Sequence, residues 1–154
     1  MTIPAWGRRT ATTVFVETGG DMSRFPSAAH LCSWAAMCPG LNESGGKRRT
    51  GKTREGNRYL RGALLESALA ATRTKGTALQ ARYLRVKRHR GHKKATVAVG
   101  HQMLEIAYYL LRDGKTYQEL GADYFARRDR ERTIRRSIRQ LEALGYRVNL
   151  EEAA

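Results

Sequence analysis

The segment from Cys38 to Arg61 constrains the chain most: CPGLNESGGKRRTGKTREGNRYLR. It holds seven Lys or Arg residues against two Glu and has no run of apolar residues. Such a segment cannot lie in a core, because unpaired charges are too costly to bury. It therefore divides the chain into apolar-patterned stretches before and after it. Its glycines let backbone N–H groups approach a ligand closely, and it runs into a helix whose N-terminus carries partial positive charge. Phosphate is the ligand this favours. The residues expected to contact nucleic acid here are Gly45, Gly46, Lys47, Arg48, Arg49, Lys52, Arg54, Asn57, Arg58 and Arg61. Ser44 sits among them either as one more hydrogen-bond donor or as a nucleophile aimed at a phosphodiester.

The formal net charge of the 154 residues is +15. That far exceeds what solubility requires and implies a polyanionic partner, nucleic acid first. A membrane surface is disfavoured, because the cations lie partly in glycine-rich loops without a large apolar helix face beside them. Met1 to Trp6 lacks the charged and apolar regions of a signal peptide, and no run reaches the length of a membrane span. A cytoplasmic protein is expected. Cys32 and Cys38 read as buried thiols: a disulfide is disfavoured in a reducing compartment, and with His89 and His92 they match no usual zinc spacing. No cofactor is expected to be bound by the chain itself.

The remaining pattern reads as all-α, with about six helices. Ile3 to Gly7 is a tight turn before a short helix, Arg8 to Glu17, with Ala11, Val14 and Phe15 inward. The turn fits two readings: an ordinary helix start with Pro near its first turn, or the second half of a helix-hairpin-helix that holds phosphate by backbone N–H groups. In the second reading Ala5 stands where glycine is expected. Gly19-Gly20-Asp21 breaks this helix, and Ser27 caps Ala28 to Met37, with Leu31, Trp34 and Ala35 on one face. A glycine-rich basic loop follows from Asn42 to about Gly56. Asn57 to Arg73 is a long helix striped by Leu60, Leu64, Ala68 and Ala71. Arg58 and Arg61 in its first turns oppose the helix dipole, which hints at a binding role. Thr77 to His89, with Leu79, Tyr83 and Val86 inward, ends in a second basic cluster containing Arg88, Arg90, Lys93 and Lys94. Lys94 to Arg112 carries Val99, Met103, Ile106 and Leu110. Tyr117 to Ala126 is a short amphipathic segment. Asp129 caps a last helix to Leu144, closed by Gly145, with Ile134, Ile138, Leu141 and Leu144 on one face.

Three enzyme chemistries fit poorly. Two-metal nucleases need converging carboxylates, whereas the acids are scattered. A Ser-His-Asp hydrolase needs a nucleophile elbow after a strand, and no strand is apparent. Gly46 and Gly51-Lys52-Thr53 meet the Walker spacing, but the preceding residues are polar and no βαβ pattern follows. Ser44 remains: attack on phosphorus would give a phosphoserine link that conserves bond energy for rejoining, with loop cations neutralising the transition state. Its plain alternative is a serine in a turn.

The order Arg24-Phe25-Pro26-Ser27-Ala28, Leu31, Trp34-Ala35, Pro39-Gly40, Ser44-Gly45-Gly46-Lys47-Arg48 and Gly56-Asn57-Arg58-Tyr59-Leu60-Arg61 resembles the C-terminal domain of a transposase family. The likeness continues through Lys93-Lys94-Ala95, Tyr108, Tyr124-Phe125 and Leu141 to Tyr146. These are the bridge-RNA-guided insertion-sequence transposases, serine recombinases with an N-terminal RuvC-like DEDD domain, related to the Piv invertases. The resemblance implies that Ser44 is the catalytic serine and that metal-binding carboxylates come from the RuvC-like domain, with Mg²⁺ expected only there. It implies DNA and a structured guide RNA as partners, in a homo-oligomer or with a complementing RuvC-like domain. Residues 1–112 are expected to form the serine-bearing, nucleic-acid-binding domain. Residues 113–154 are expected to be a helical extension that packs on it or mediates oligomerisation. The RuvC-like domain is absent from this sequence, so the chain reads as a truncated transposase: a remnant, a split reading frame or an excised domain. A stand-alone DNA- or RNA-binding module without a nucleophile is the alternative.

Overall fold

The computed structural model describes residues 3–39, 43–48, 53 and 55–151. It is built of helices: α1 (Arg8–Thr18), α2 (Ala28–Trp34), α3 (Arg58–Ala71), α4 (Ala78–Asp113) and α5 (Tyr124–Ala143), with a 3-10 turn at Met22–Arg24. Two short strands, β1 (Glu43–Ser44) and β2 (Lys47–Arg48), pair between α2 and α3. The all-α expectation holds for the body.

The core lies where α3 and the C-terminal arm of α4 pack together, with α1 and α2 on either side. Leu60, Leu64, Ala68 and Ala71 of α3 are fully buried, as their 3.6-residue period demands. Val99, Met103 and Leu104 of α4 meet them. Gly100 marks the tightest approach: a Cβ there would lie 2.7 Å from Met37 Cε and 3.8 Å from Ala68 Cβ. A buried hydrogen bond of 2.7 Å between Thr10 Oγ1 and Ser67 Oγ ties α1 to α3, leaving neither hydroxyl orphaned. Tyr108 Oη donates to the Phe25 carbonyl at 3.1 Å and pins the turn before α2 to α4.

Several sequence expectations are corrected. Phe15 is 54% exposed, its ring lying over Gly20 instead of in the core. The second helix ends at Trp34 and not at Met37, because Ala36 turns to φ 53° and sends the chain off. Trp34 is 43% exposed and rests against Phe25, ring centroids 5.6 Å apart. Ser27 occupies the cap position, but its hydroxyl pairs with His30 Nδ1 at 2.8 Å. The two helices read over 77–89 and 94–112 are one element interrupted at Gly91, with φ 76° and ψ 171°. This is a backbone region essentially restricted to glycine.

Residues 115–121 are not helical. They fold back so that Glu119 accepts from the Ala78 N–H at 2.8 Å, capping α4 together with Thr77. The last helix therefore starts at Tyr124. Asp129 lies inside it and pairs with Arg85 instead of capping it. Phe125 is the one buried residue of α5, with the Arg85 guanidinium 5.2 Å from its ring centroid. Beyond Phe125 no residue of α5 is buried. Ile134 and Ile138 are half-exposed, and Leu141 and Leu144 are exposed. On another face Arg128, Arg132, Arg136 and Arg139 recur at helical spacing, exposed and without an ion pair among the described residues. Gly145, at φ 88°, closes the helix as read from sequence, with Tyr146 N–H donating to the Leu141 carbonyl.

Candidate nucleic-acid interface

Within the glycine-rich basic segment, residues 43–48 form a hairpin. Ser44 pairs with Lys47 and Glu43 with Arg48, joined by Gly45 and Gly46 at φ 56° and 73°. Positive φ at both central residues is the type I′ geometry, whose twist matches paired strands. Nothing lies within 4 Å of a Cβ built on either glycine, so the backbone at the tip is open to approach. Pro39 and Thr53 bridge the base. Gly56 then presses against the end of α2: a Cβ there would sit 2.6 Å from Ala36 Cβ and 2.9 Å from the Trp34 carbonyl oxygen. Pro39, Thr53 and Gly56 thus tie the two ends of the segment to each other and to the end of α2.

Ser44, Gly45, Gly46 and Lys47 are all exposed. The Ser44 hydroxyl has no hydrogen-bond partner among the described residues. Arg49, Lys52 and Arg54 lie outside the described residues, and Arg48 is described only by its backbone pairing with Glu43.

Asn57 caps α3: its Oδ1 accepts from the N–H groups of Tyr59 and Leu60 at 3.1 and 3.0 Å, and its Nδ2 donates to Glu17. This explains its place in the sequence without a ligand, although it was expected to contact nucleic acid. Arg61 is half-buried in the next turn. Arg58 is exposed, stacks 4.9 Å from the Tyr59 ring centroid and donates to Tyr59 Oη at 3.0 Å.

The second cluster, Arg88, Arg90, Lys93 and Lys94, is exposed around the Gly91 break. Tyr83 Oη pairs with His92 Nδ1 at 2.8 Å, and Lys87 Nζ lies 5.6 Å from the Tyr83 ring centroid. The structure places these cations on a different element from the Ser44 hairpin.

The described residues contain no group of three His, Cys, Asp or Glu side chains able to hold a metal ion. Cys32 and Cys38 are free. Burial pushes the Cys32 thiol up to about 12 and raises that of Cys38, so neither supplies a thiolate near neutral pH. No helix among the described residues is long and apolar enough to cross a membrane.

Sequence reasoning missed Tyr59. It is 63% exposed beside Arg58 and falls off the Leu60–Leu64–Ala68–Ala71 stripe. That register was the available signal: an aromatic outside the buried face of a helix has been left in solvent.

Residues 1–84 match the family described as "Transposase IS116/IS110/IS902 family". The chain is 34% identical over 119 residues to the "Insertion element IS110 uncharacterized 43.6 kDa protein" of Streptomyces coelicolor, covering 75% of this chain and 29% of that protein. It is 32% identical over 123 residues to the "Insertion element IS900 uncharacterized 42 kDa protein" of Mycobacterium paratuberculosis, covering 76% and 30%. It is 28% identical over 122 residues to the "Pilin gene-inverting protein" of Moraxella bovis, covering 77% and 37%. The aligned part thus spans about a third of the length of these relatives. No solved structure matches.

Proposed function

The chain belongs to the IS116/IS110/IS902 family of transposases, and from that membership we propose that it is the serine-bearing, nucleic-acid-binding part of a DNA recombinase. Residues 1–112 hold DNA and a structured guide RNA, and residues 113–154 pack on them or mediate oligomerisation. The observation that carries the reading is Ser44 at the open tip of a Gly-Gly hairpin, paired with Lys47 on a chain of net charge +15. In the proposed step the Ser44 hydroxyl oxygen bonds to phosphorus and the bond to the leaving strand breaks. The serine proton passes to a base, and the departing oxygen is protonated. Lys47 and the loop arginines offset charge developing on the phosphoryl oxygens. Carboxylates for Mg²⁺ come from a RuvC-like domain. No step runs through a metal held by the described residues.

The alternative is a nucleic-acid-binding module in which Ser44 does no chemistry. It is favoured by the absence of a hydrogen-bonding base at Ser44 among the described residues.

The test is covalent trapping. The chain alone is expected not to cut DNA. With a RuvC-like domain from a relative, Mg²⁺ and cognate RNA, a protein–DNA adduct on Ser44 is expected by mass spectrometry. Ser44→Ala abolishes it while nucleic-acid affinity stays within about 1 kcal/mol, the contribution of one neutral hydrogen bond. An adduct on another residue, or one that survives the alanine variant, removes Ser44 from the chemistry and leaves the binding module.

A further inference from the structure

We propose that Tyr59, with Arg58 stacked on it, is a platform for an unpaired nucleobase of single-stranded DNA. This rests on the nucleic-acid-binding reading above but concerns a different ligand group, a base instead of a phosphate.

Tyr59 is the second residue of α3 and does not serve the core: 63% of it is exposed, while the next residue, Leu60, is fully buried. The Asn57 cap fixes the Tyr59 backbone N–H, so the ring is presented from a rigid position. Arg58 lies 4.9 Å from the ring centroid and also donates to its hydroxyl at 3.0 Å, which holds the guanidinium against the ring. Trp34, 43% exposed, has its carbonyl oxygen against Gly56, three residues before Tyr59. An exposed ring offers a free π-face on which an unpaired base can stack. Stacking accepts any base, because every base has a π-face, and a guanidinium contributes in the same way. Bases inside a duplex are already stacked and cannot reach such a ring, so the platform selects unpaired strand. It follows closely in sequence on the Pro39–Thr53 bridge and the Gly56 contact, which close the segment carrying Ser44.

The experiment measures binding of the full chain to a labelled oligothymidylate and to a duplex of equal length, at one fixed salt concentration. Tyr59→Ala and Tyr59→Leu are expected to weaken single-strand binding by about 5- to 100-fold, the range seen on removing one stacking aromatic. Duplex binding is expected to change by less than about twofold. Tyr59→Phe and Tyr59→Trp retain single-strand affinity, since both keep an aromatic face for stacking. Equal losses on both ligands would make Tyr59 a general contact, and an unchanged single-strand affinity in Tyr59→Ala would remove the platform; either overturns the inference alone. A wild-type chain that binds neither ligand overturns the nucleic-acid reading as well. Leucine keeps apolar bulk without a π-face, so its failure to rescue separates stacking from mere packing.

Discussion

Ala5 carries a backbone cost the fold has not removed. Its φ is 64°, in the third position of a turn closed by the Trp6 N–H on the Ile3 carbonyl at 3.1 Å. An L-residue with a Cβ pays about 1–2 kcal/mol there, and glycine does not. The turn persists because Ile3 and Trp6 on either side are buried, at 4% and 8% exposure. Ala5→Gly is therefore expected to raise unfolding free energy by about 0.5–1 kcal/mol, part of the relief being lost to glycine's greater unfolded-state entropy. Urea unfolding followed by circular dichroism checks it, and a loss of stability would mean the alanine methyl packs usefully. This strain was legible, because Pro4-Ala5 sits where a turn wants glycine. Asn57 was legible as a candidate contact but not as a cap. Its neighbours Arg58 and Arg61 suggested ligand binding, whereas a helix start needs its first N–H groups capped. Phe15 and Trp34 were misread because short helices offer too few turns to fix which side of a stripe an aromatic takes.

At the scale of elements, Gly91 decides the shape of α4. Its φ 76° and ψ 171° interrupt an element of 36 residues and redirect the chain between two arms. A Cβ there meets nothing within 4 Å, so a substitution is penalised through the backbone alone. Gly91→Ala is expected to destabilise the fold by about 1–3 kcal/mol, measured by thermal or denaturant unfolding. A stabilised variant would show that a continuous helix is compatible with the packing of both arms. The sequence marked a boundary here through its run of cations, but not that a single residue makes it. The Ser44 hairpin was less legible. Gly45-Gly46 is a favoured type I′ pair, yet the flanking residues show none of the apolar alternation that announces strands. Pairings such as Arg85 with Asp129, or Glu119 over the α4 N-terminus, join residues more than 40 positions apart. Local periodicity carries no trace of them.

For the whole molecule, the buried stripes of α3 and of the C-terminal arm of α4 account for most of the core, and both were readable from spacing. The family match over residues 1–84 covers α1, α2, the hairpin, α3 and the first turns of α4. The Gly91 cluster and α5 lie beyond it. Three clusters of cations stand out: the hairpin with the start of α3, the α4 break, and α5.

Phe125 is the last buried side chain of α5, and this gives the molecule a scissile limb. A helix held by little beyond its own hydrogen-bond ladder opens at small cost, while the packed body opens only near the global free energy. Arg128, Arg132, Arg136 and Arg139 supply cleavage sites along that ladder. Brief treatment with trypsin is thus expected to cut first within α5. The remaining body should melt within about 2 °C of the intact chain, because none of its buried stripes is lost. Resistance of α5 that rises with protein concentration would mean a second copy shields the open Ile134–Ile138–Leu141 face. Digestion kinetics therefore report whether the limb is solitary or paired, with no nucleic acid present.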